Sequence, residues 1–363
     1  MAKGLDGNIL NLLKTGTVIP ACPLAINKDR VFDDFTQRVL VHYYMEANAG
    51  GLAVGVHTTQ FNIRDQKHNL YARLLSVVHD EIVSSNIQRP FIKIAGVCGE
   101  TEQAIQEAIT AEKIGYDMIL LSMGGLDSYT EYELLERTKR IADIMPVFGF
   151  YLQPNAGGRR FSYEFWQKFA DIEGVIAIKT APFNRYDTLD VLRAVCSSKR
   201  CNEITVYTGN DDNIVADLLT KYKFNVNGQI IEKEICGGLL GHWAVWTSKA
   251  AELLDKIKKA KDTGAGFGEL LAMGTQITDC NAAFFDVNNN FFGCIPGINE
   301  VLARQGLLQG NWCLDEKEIL GEGQMEEINR VYKSYPELND DKFIADNIEK
   351  WKERVREKQE EIG

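Results

Sequence analysis

Eight short β-like runs begin near Thr17, Gly51, Pro90, Tyr116, Pro146, Gly174, Ile204 and Ile235, and helical patterns fill the intervals. The starts lie roughly 26 to 40 residues apart, the length that a strand, a helix and two loops consume. Asp33–Tyr44, Leu70–Ile82 and Thr101–Ala111 carry the clearest helical patterns, the last read with a threonine N-cap. Strands joined through helices run parallel, and eight such units in succession predict a (β/α)8 (TIM) barrel of about 250 residues. A doubly wound open sheet is the alternative with the same alternation.

The repeat places the barrel in residues 1–262 and leaves 263–363 as a helical extension without strands. Phe343, Ile344, Ile348, Trp351 and Val355 form an apolar stripe at helical spacing, suited to covering the barrel or a neighbouring subunit. At 45% hydrophobic and 25% charged residues the composition is that of an ordinary globular protein. A formal net charge of −11 argues against nucleic acid or an anionic membrane as general partners. No secretion signal is read at the N-terminus, and no apolar run approaches a membrane span. The eight cysteines are scattered, with Cys196 and Cys201 the closest pair and no CxxC. These are expected to be reduced thiols in a cytoplasmic protein.

Within this frame one residue is out of place. Lys179 interrupts the apolar run Gly174-Val-Ile-Ala-Ile-Lys-Thr180, and Tyr151 ends the run Pro146-Val-Phe-Gly-Phe-Tyr-Leu152, with 179 − 151 = 28, one repeat apart. Side chains alternate along a strand. The smaller sets, Val147, Gly149 and Tyr151 on one strand and Val175, Ala177 and Lys179 on the next, are assigned to the crowded interior. Both polar residues then point inward near the C-terminal strand ends, where active sites of this fold lie. An amine held out of water favours its neutral, nucleophilic form, and a neighbouring hydroxyl suits Schiff-base chemistry on a carbonyl. The bland alternative is a strand-end lysine reaching bulk water. Lys93, which also interrupts an apolar run, sits near the start of its strand, a place for packing.

Several segments resemble the dihydrodipicolinate synthase/N-acetylneuraminate lyase family of class I aldolases over roughly residues 15 to 260. They are Tyr151-Leu-Gln-Pro154, the lysine of Ile176-Ala-Ile-Lys179, the threonine pair of Gly55-Val-His-Thr-Thr-Gln60, Ala95-Gly-Val-Cys-Gly-Glu-Thr-Glu102, Gly209-Asn-Asp-Asp212 and Gly237-Gly-Leu-Leu-Gly241. The resemblance implies that Lys179 forms an imine with pyruvate or another 2-oxo acid and that Tyr151 shuttles protons. It further implies that Thr58 and Thr59 donate to the substrate carboxylate, with His57, Gly209 and Gly238 at the substrate. The partner substrates would be a small 2-oxo acid and an aldehyde, and the protein a homo-oligomer, dimer or tetramer.

The departures bear on the reaction. The synthases carry Gly-Thr-Thr-Gly-Glu, whereas this pair is flanked by His57, Gln60 and Phe61. Their tyrosine pair after the fourth strand is replaced by Leu121-Ser-Met-Gly-Gly125, and their distal-carboxylate arginine by Ala156. Asn155-Ala-Gly-Gly-Arg-Arg-Phe-Ser162 with Phe165-Trp166 looks more like the hydratase-aldolase branch, acting on arylidene pyruvates. Arg159 and Arg160 are either anion contacts or surface charges. His57 and His242 lack a carboxylate or cysteine at ligand spacing, so no metal is expected. Without a Walker loop or a GxGxxG after a strand, no nucleotide cofactor is indicated. The expected activity is carbon–carbon bond making or breaking beside a 2-oxo acid. Imine-based dehydration or hydration, or a non-catalytic barrel that binds a 2-oxo acid, are the alternatives.

Overall fold

The computed structural model describes residues 5–362. Among these, nine strands occur: β1 (Val18–Pro20), β2 (Gly51–Val54), β3 (Ile92–Val97), β4 (Met118–Leu121), β5 (Val147–Leu152), β6 (Val175–Ala181), β7 (Thr205–Thr208), β8 (Lys221–Val226) and β9 (Gln229–Leu240). All except β8 succeed one another in the element order of a (β/α)8 (TIM) barrel, and a helical extension follows. The chain divides into two compact units. The first comprises Met1–Thr17, Ile92–Leu240 and Ile257–Gly274; the second comprises Val18–Phe91, Gly241–Lys256 and Thr275–Gly363. No helix among the described residues is long and apolar enough to cross a membrane. All eight cysteines are free thiols.

In the first unit the strand order is β3-β4-β5-β6-β7-β9, each pair parallel. Strands covered on both faces read as continuous apolar runs, and β4, β5, β6 and β7 are buried along their whole length. The register of β5 on β6 shifts by one residue after Val147, which pairs with Val175, whereas Phe148 pairs with Ala177. The helix Thr101–Ile114 begins where expected, but its N-cap is Glu100, which makes no side-chain capping bond.

The β8–β9 hairpin was not expected from the sequence, which placed a single strand from about Ile235. Its turn is Asn227-Gly228, both with left-handed backbone (φ 51° and 85°), the combination a two-residue hairpin turn demands. Exposed and half-buried residues alternate along β8, and Lys223 pairs with Glu232 across the ladder at 2.6 Å. Charged residues on its open face hid the strand. The Asn-Gly between two alternating runs was the signal that could have found it.

In the second unit, β1 and β2 meet at the parallel bridge Ala21–Ala53. The helices Asp34–Glu46 and Tyr71–Ser84 pack on each other, and the last helix, Asp341–Ile362, lies on the first of them. Its apolar stripe buries Trp351 and places that ring 6.0 Å and Phe343 6.5 Å from the Tyr43 ring. Beside this contact Glu81, almost wholly buried, accepts from Arg38 at 2.9 Å and from Lys358 of the last helix at 2.8 Å, and bonds His42 Nε2 at 2.8 Å. Burial alone would raise its carboxyl, but the bonds from His42, Lys358 and Arg38 outweigh it and hold the pKa near 2.

Candidate active site

Lys179 lies in the C-terminal half of β6, paired with Phe150 of β5 on one side and Tyr207 of β7 on the other. Partners in register share a face of the sheet. The amine sits 4.3 Å from the centroid of the Phe150 ring, and Phe148 meets Tyr207 edge-on at 5.4 Å. The bulky aromatics of β5 thus occupy the face that carries Lys179. Room for the lysine stem comes from Gly209, just past β7, where an added Cβ would lie 2.3 Å from Lys179 Cε. Lys179 is 7% exposed. Desolvation depresses its ammonium from the usual 10.5 to about 8, with the Asp211 carboxylate opposing part of the shift. An amine in that state supplies a nucleophile near neutral pH.

The segment Gly209–Asp212 is fixed from behind by Asp217, which the sequence reading missed. Its fully buried carboxylate accepts from Thr208 Oγ1 at 2.7 Å, Asn210 Nδ2 at 3.0 Å and Asn213 Nδ2 at 2.9 Å, and from the Arg185 guanidinium. The Gly209 N–H donates to Thr180 O at 2.7 Å. A lone acid in the otherwise apolar helix Ile214–Leu219 was the only sequence signal for this support. Gly238 pairs with Thr208 and donates its N–H to Thr17 O at 3.2 Å.

Tyr151 is not on the Lys179 face. It pairs with Thr180, and its ring packs 5.0 Å from Trp166 and 5.8 Å from Phe161. Gly149, on the same side, faces Phe169 of the helix Tyr163–Ala170. The interior assignment of Val147, Gly149 and Tyr151 is therefore corrected. The register shift makes the pairing offset 179 − 150 = 29 rather than 28, and a one-residue slip exchanges the faces. Small residues on the neighbours, Ala177, Gly209 and Gly237, leave the interior open to Phe148 and Phe150. The Tyr151 hydroxyl nevertheless lies at the C-terminal end of the strand, toward Asp187 and the Phe161 backbone. Burial first, and then Asp187, push its pKa up to about 12. Its side chain is buried.

The other expected site residues belong to the second unit. Thr59 is fully engaged: its Oγ1 accepts from Gly55 and Val56 N–H at 3.0 and 3.2 Å and donates to Cys22 O at 2.6 Å, while its own N–H donates to Val56 O at 3.0 Å. It shapes the turn, leaving Thr58, also buried, as the member of the pair with a hydroxyl to offer. Next to it Gln60 takes a left-handed φ of 73°, uncommon outside glycine, and its Oε1 accepts from the Leu314 N–H at 2.6 Å. His57 is half-buried, its ring 6.0 Å from Phe61. His242 is buried against Phe284, and desolvation lowers its pKa to about 4. Among the described residues no three His, Cys, Asp or Glu converge as metal ligands would. On β3, Lys93 is half-buried, with its backbone N–H on the Asp117 carboxylate at 2.7 Å.

No family model matches the chain. It is 32% identical to the 4-hydroxy-tetrahydrodipicolinate synthase of Clostridium novyi over 124 residues, 34% of this chain and 40% of that one. It is 28% identical to that of Staphylococcus saprophyticus over 178 residues, 48% of this chain and 56% of that one. The chain thus spans about half the length of the curated relatives it matches. Among solved structures, dihydrodipicolinate synthase from Acinetobacter baumannii complexed with pyruvate superposes with a TM-score of 0.71 at 18% identity, covering 89% of this chain and 99% of that one. N-acetylneuraminate lyase from Fusobacterium nucleatum complexed with pyruvate gives 0.69 at 16%, covering 89% and 98%. The chain is a divergent relative of the dihydrodipicolinate synthase/N-acetylneuraminate lyase family. At these identities the structural likeness speaks for the (β/α)8 fold.

Set beside this family, the departures gain physical content. Where the synthases place a tyrosine pair, Gly124 abuts the Gly157 carbonyl, 2.7 Å from an added Cβ. The neighbouring Gly125 has open space around it. Arg159 donates to the carbonyls of Tyr129 at 2.7 Å and Leu126 at 3.2 Å. Arg160 is exposed, 3.8 Å from Asp187. Phe165 and Trp166 are buried, clustering with Phe161 and Phe169, so they build core rather than offer an aryl-binding wall.

Proposed function

We propose that the chain is a class I lyase that forms a Schiff base between Lys179 and pyruvate or another 2-oxo acid, and makes or breaks the adjacent carbon–carbon bond with an aldehyde partner. The observation that carries this reading is a lysine amine buried at the catalytic end of a barrel strand and depressed to about 8. The family relation supports it. Attack of the neutral amine on the keto carbon gives a carbinolamine, and loss of water gives the imine. Protonated, the imine withdraws electrons from C3 and stabilises the carbanion that meets or leaves the aldehyde.

Tyr151 is proposed as the proton carrier. Its support is the family motif and a buried hydroxyl at the C-terminal end of β5, kept protonated by burial and by the nearby Asp187. Thr58 is proposed to donate to the substrate carboxylate. Gly209 gives passage to the lysine, Thr59 shapes the turn, and His57 and Gly238 are proposed to border the substrate. We further propose a cytoplasmic homo-oligomer; the eight free thiols agree with a reducing compartment, and light scattering reads the native mass.

The test needs no knowledge of the aldehyde. In D2O the enzyme should exchange the C3 protons of pyruvate, seen as loss of the methyl signal by NMR, and Lys179→Ala should abolish exchange. Absence of exchange with any of a broad panel of 2-oxo acids contradicts the proposal. Among aldehydes, aspartate semialdehyde should be a poor acceptor, because Ala156 offers no cation and Arg159 is committed to backbone carbonyls. A kcat/KM of about 10⁴ M⁻¹s⁻¹ or more with it would reverse that specificity argument.

A further inference from the structure

Phe285 belongs to the helical extension, yet its ring lies against the turn that follows the last barrel strand. Gly241 comes directly after β9, and an added Cβ there would lie 2.8 Å from Phe285 Cζ and 3.5 Å from Thr58 Oγ1. The two side chains therefore flank one small space in the second unit, just past the C-terminal ends of β2 and β9, where active sites of this fold lie. Both are buried. A side chain at position 241 would displace the ring tip, so the glycine is what lets it approach Thr58.

The segment that carries Phe285 is locked in a conformation it would not adopt alone. Asp286, Asn290 and Phe291 all have left-handed backbone, with φ of 55°, 55° and 68°, which is an outlier for a residue as bulky as Phe291. Such geometry persists only where the surroundings impose it. The Asp286 carboxylate accepts from the Gly293 N–H at 2.9 Å and from Asn289 Nδ2 at 2.6 Å, and the Phe291 N–H donates to Asp286 O at 3.0 Å. The buried Gln324 directs its Nε2 at the carbonyls of Ala283, Phe284 and Gly293, at 3.2, 3.1 and 2.9 Å, while its Oε1 accepts from the Gly321 N–H at 2.9 Å. Phe284 meets Trp246 edge-on at 5.0 Å. Binding walls are held in this way, by side chains whose own supports are fixed.

We infer that Phe285 is a substrate-binding residue supplied by the helical extension, forming the wall of the 2-oxo-acid carboxylate subsite at Thr58. The inference rests on the proposed role of Thr58 as a donor to that carboxylate. A ring tip beside the hydroxyl keeps water from it, and a hydrogen bond to an anion is stronger in such surroundings than in water. The ring also presents its edge, the positive rim of its quadrupole, which suits a carboxylate.

The test is borohydride trapping of the full chain over a range of pyruvate concentrations, read by intact mass. Phe285→Leu withdraws the ring tip and keeps most of the packing. The half-saturating pyruvate concentration should rise at least tenfold, while the adduct at saturation stays on Lys179. Gly241→Ala pushes on the same ring tip from the opposite side, at an ordinary φ of −66°, and should give a rise of the same kind even if Phe285→Leu fails to fold. Thr58→Val should raise half-saturation severalfold in the parent and much less in Phe285→Leu, where the hydroxyl has already lost its dry surroundings. Phe284→Leu loosens the same segment without touching Thr58 and should leave half-saturation within twofold. Unchanged half-saturation in folded Phe285→Leu or Gly241→Ala, an equal rise in Phe284→Leu, or additive effects of Thr58→Val and Phe285→Leu would overturn the inference. A parent that gives no adduct at any concentration would instead contradict the imine on Lys179, and the carboxylate wall would fall with it.

Discussion

Burial sets the charge state of Lys179. With a pKa of about 8, roughly one amine in ten is neutral at pH 7, against about one in three thousand for a lysine at 10.5. Schiff-base formation should therefore rise with pH and level off above about pH 8; a rise continuing past pH 10 would show an ordinary lysine. The same depression has a stability consequence. Between about pH 8 and 10.5 the unfolded chain binds more protons than the folded one, so stability climbs with pH there, and the cost of burying the charge is fully present below pH 8. Lys179→Met should stabilise the protein at pH 7 by about 1–3 kcal/mol in urea unfolding, and the gain should fade toward pH 10. A destabilised variant, or a pH-independent gain, would contradict the burial argument. Tyr151→Phe removes only the hydroxyl, and a general acid–base role predicts a fall in turnover of about 10²–10⁴-fold with folding little changed. Near-normal turnover would assign the proton to another group. Lys179 was legible in the sequence because a charge in an apolar strand run has few bland explanations. Asp217 and Arg185 were not, because a supporting shell is defined by contacts between distant segments and leaves no spacing to read.

At the scale of elements, the alternation of strands and helices was legible throughout, since burial on both faces writes parallel strands as apolar runs. The faces of β5 were not. Alternation fixes which residues share a side, but a single register shift at Val147 decides which side is interior, and that depends on the room left by glycines and alanines of neighbouring strands. Gly209 carries the clearest consequence. Gly209→Ala would drive a methyl group into the Lys179 stem, so carbanion formation, read by C3 proton exchange, should fall at least tenfold, while overpacking costs about 1–3 kcal/mol. Unchanged exchange in a folded variant would show that the lysine does not need this passage. The junction between the helix Tyr71–Ser84 and the last helix rests on Glu81. Its stability contribution is present above the ordinary glutamate pKa of about 4.5 and is lost as pH falls from there to about 2. Glu81→Gln leaves Arg38 and Lys358 without their shared carboxylate and should cost about 3 kcal/mol at pH 7. It should also flatten the acid limb of the stability profile; a limb identical to that of the parent would remove Glu81 from its cause.

For the whole molecule, the (β/α)8 fold and the family relation were both readable, because they rest on a repeat and on ordered motifs that survive at low identity. The chemistry at the second substrate was less so. The aromatic pair in the segment that resembles the hydratase-aldolase branch proved to be core, as Phe165 and Trp166 pack with Phe161 and Phe169. Such an outcome is set by how loops and helices pack, which local sequence does not encode.

The central claim is that this barrel captures a 2-oxo acid as an imine on Lys179. The most direct measurement is reductive trapping: pyruvate with borohydride, intact mass, then mapping of the modified peptide. The expected result is one reduced pyruvyl group per chain, located on Lys179 and absent from Lys179→Ala. An adduct on Lys93 or any other lysine, or one that persists in Lys179→Ala, would contradict it.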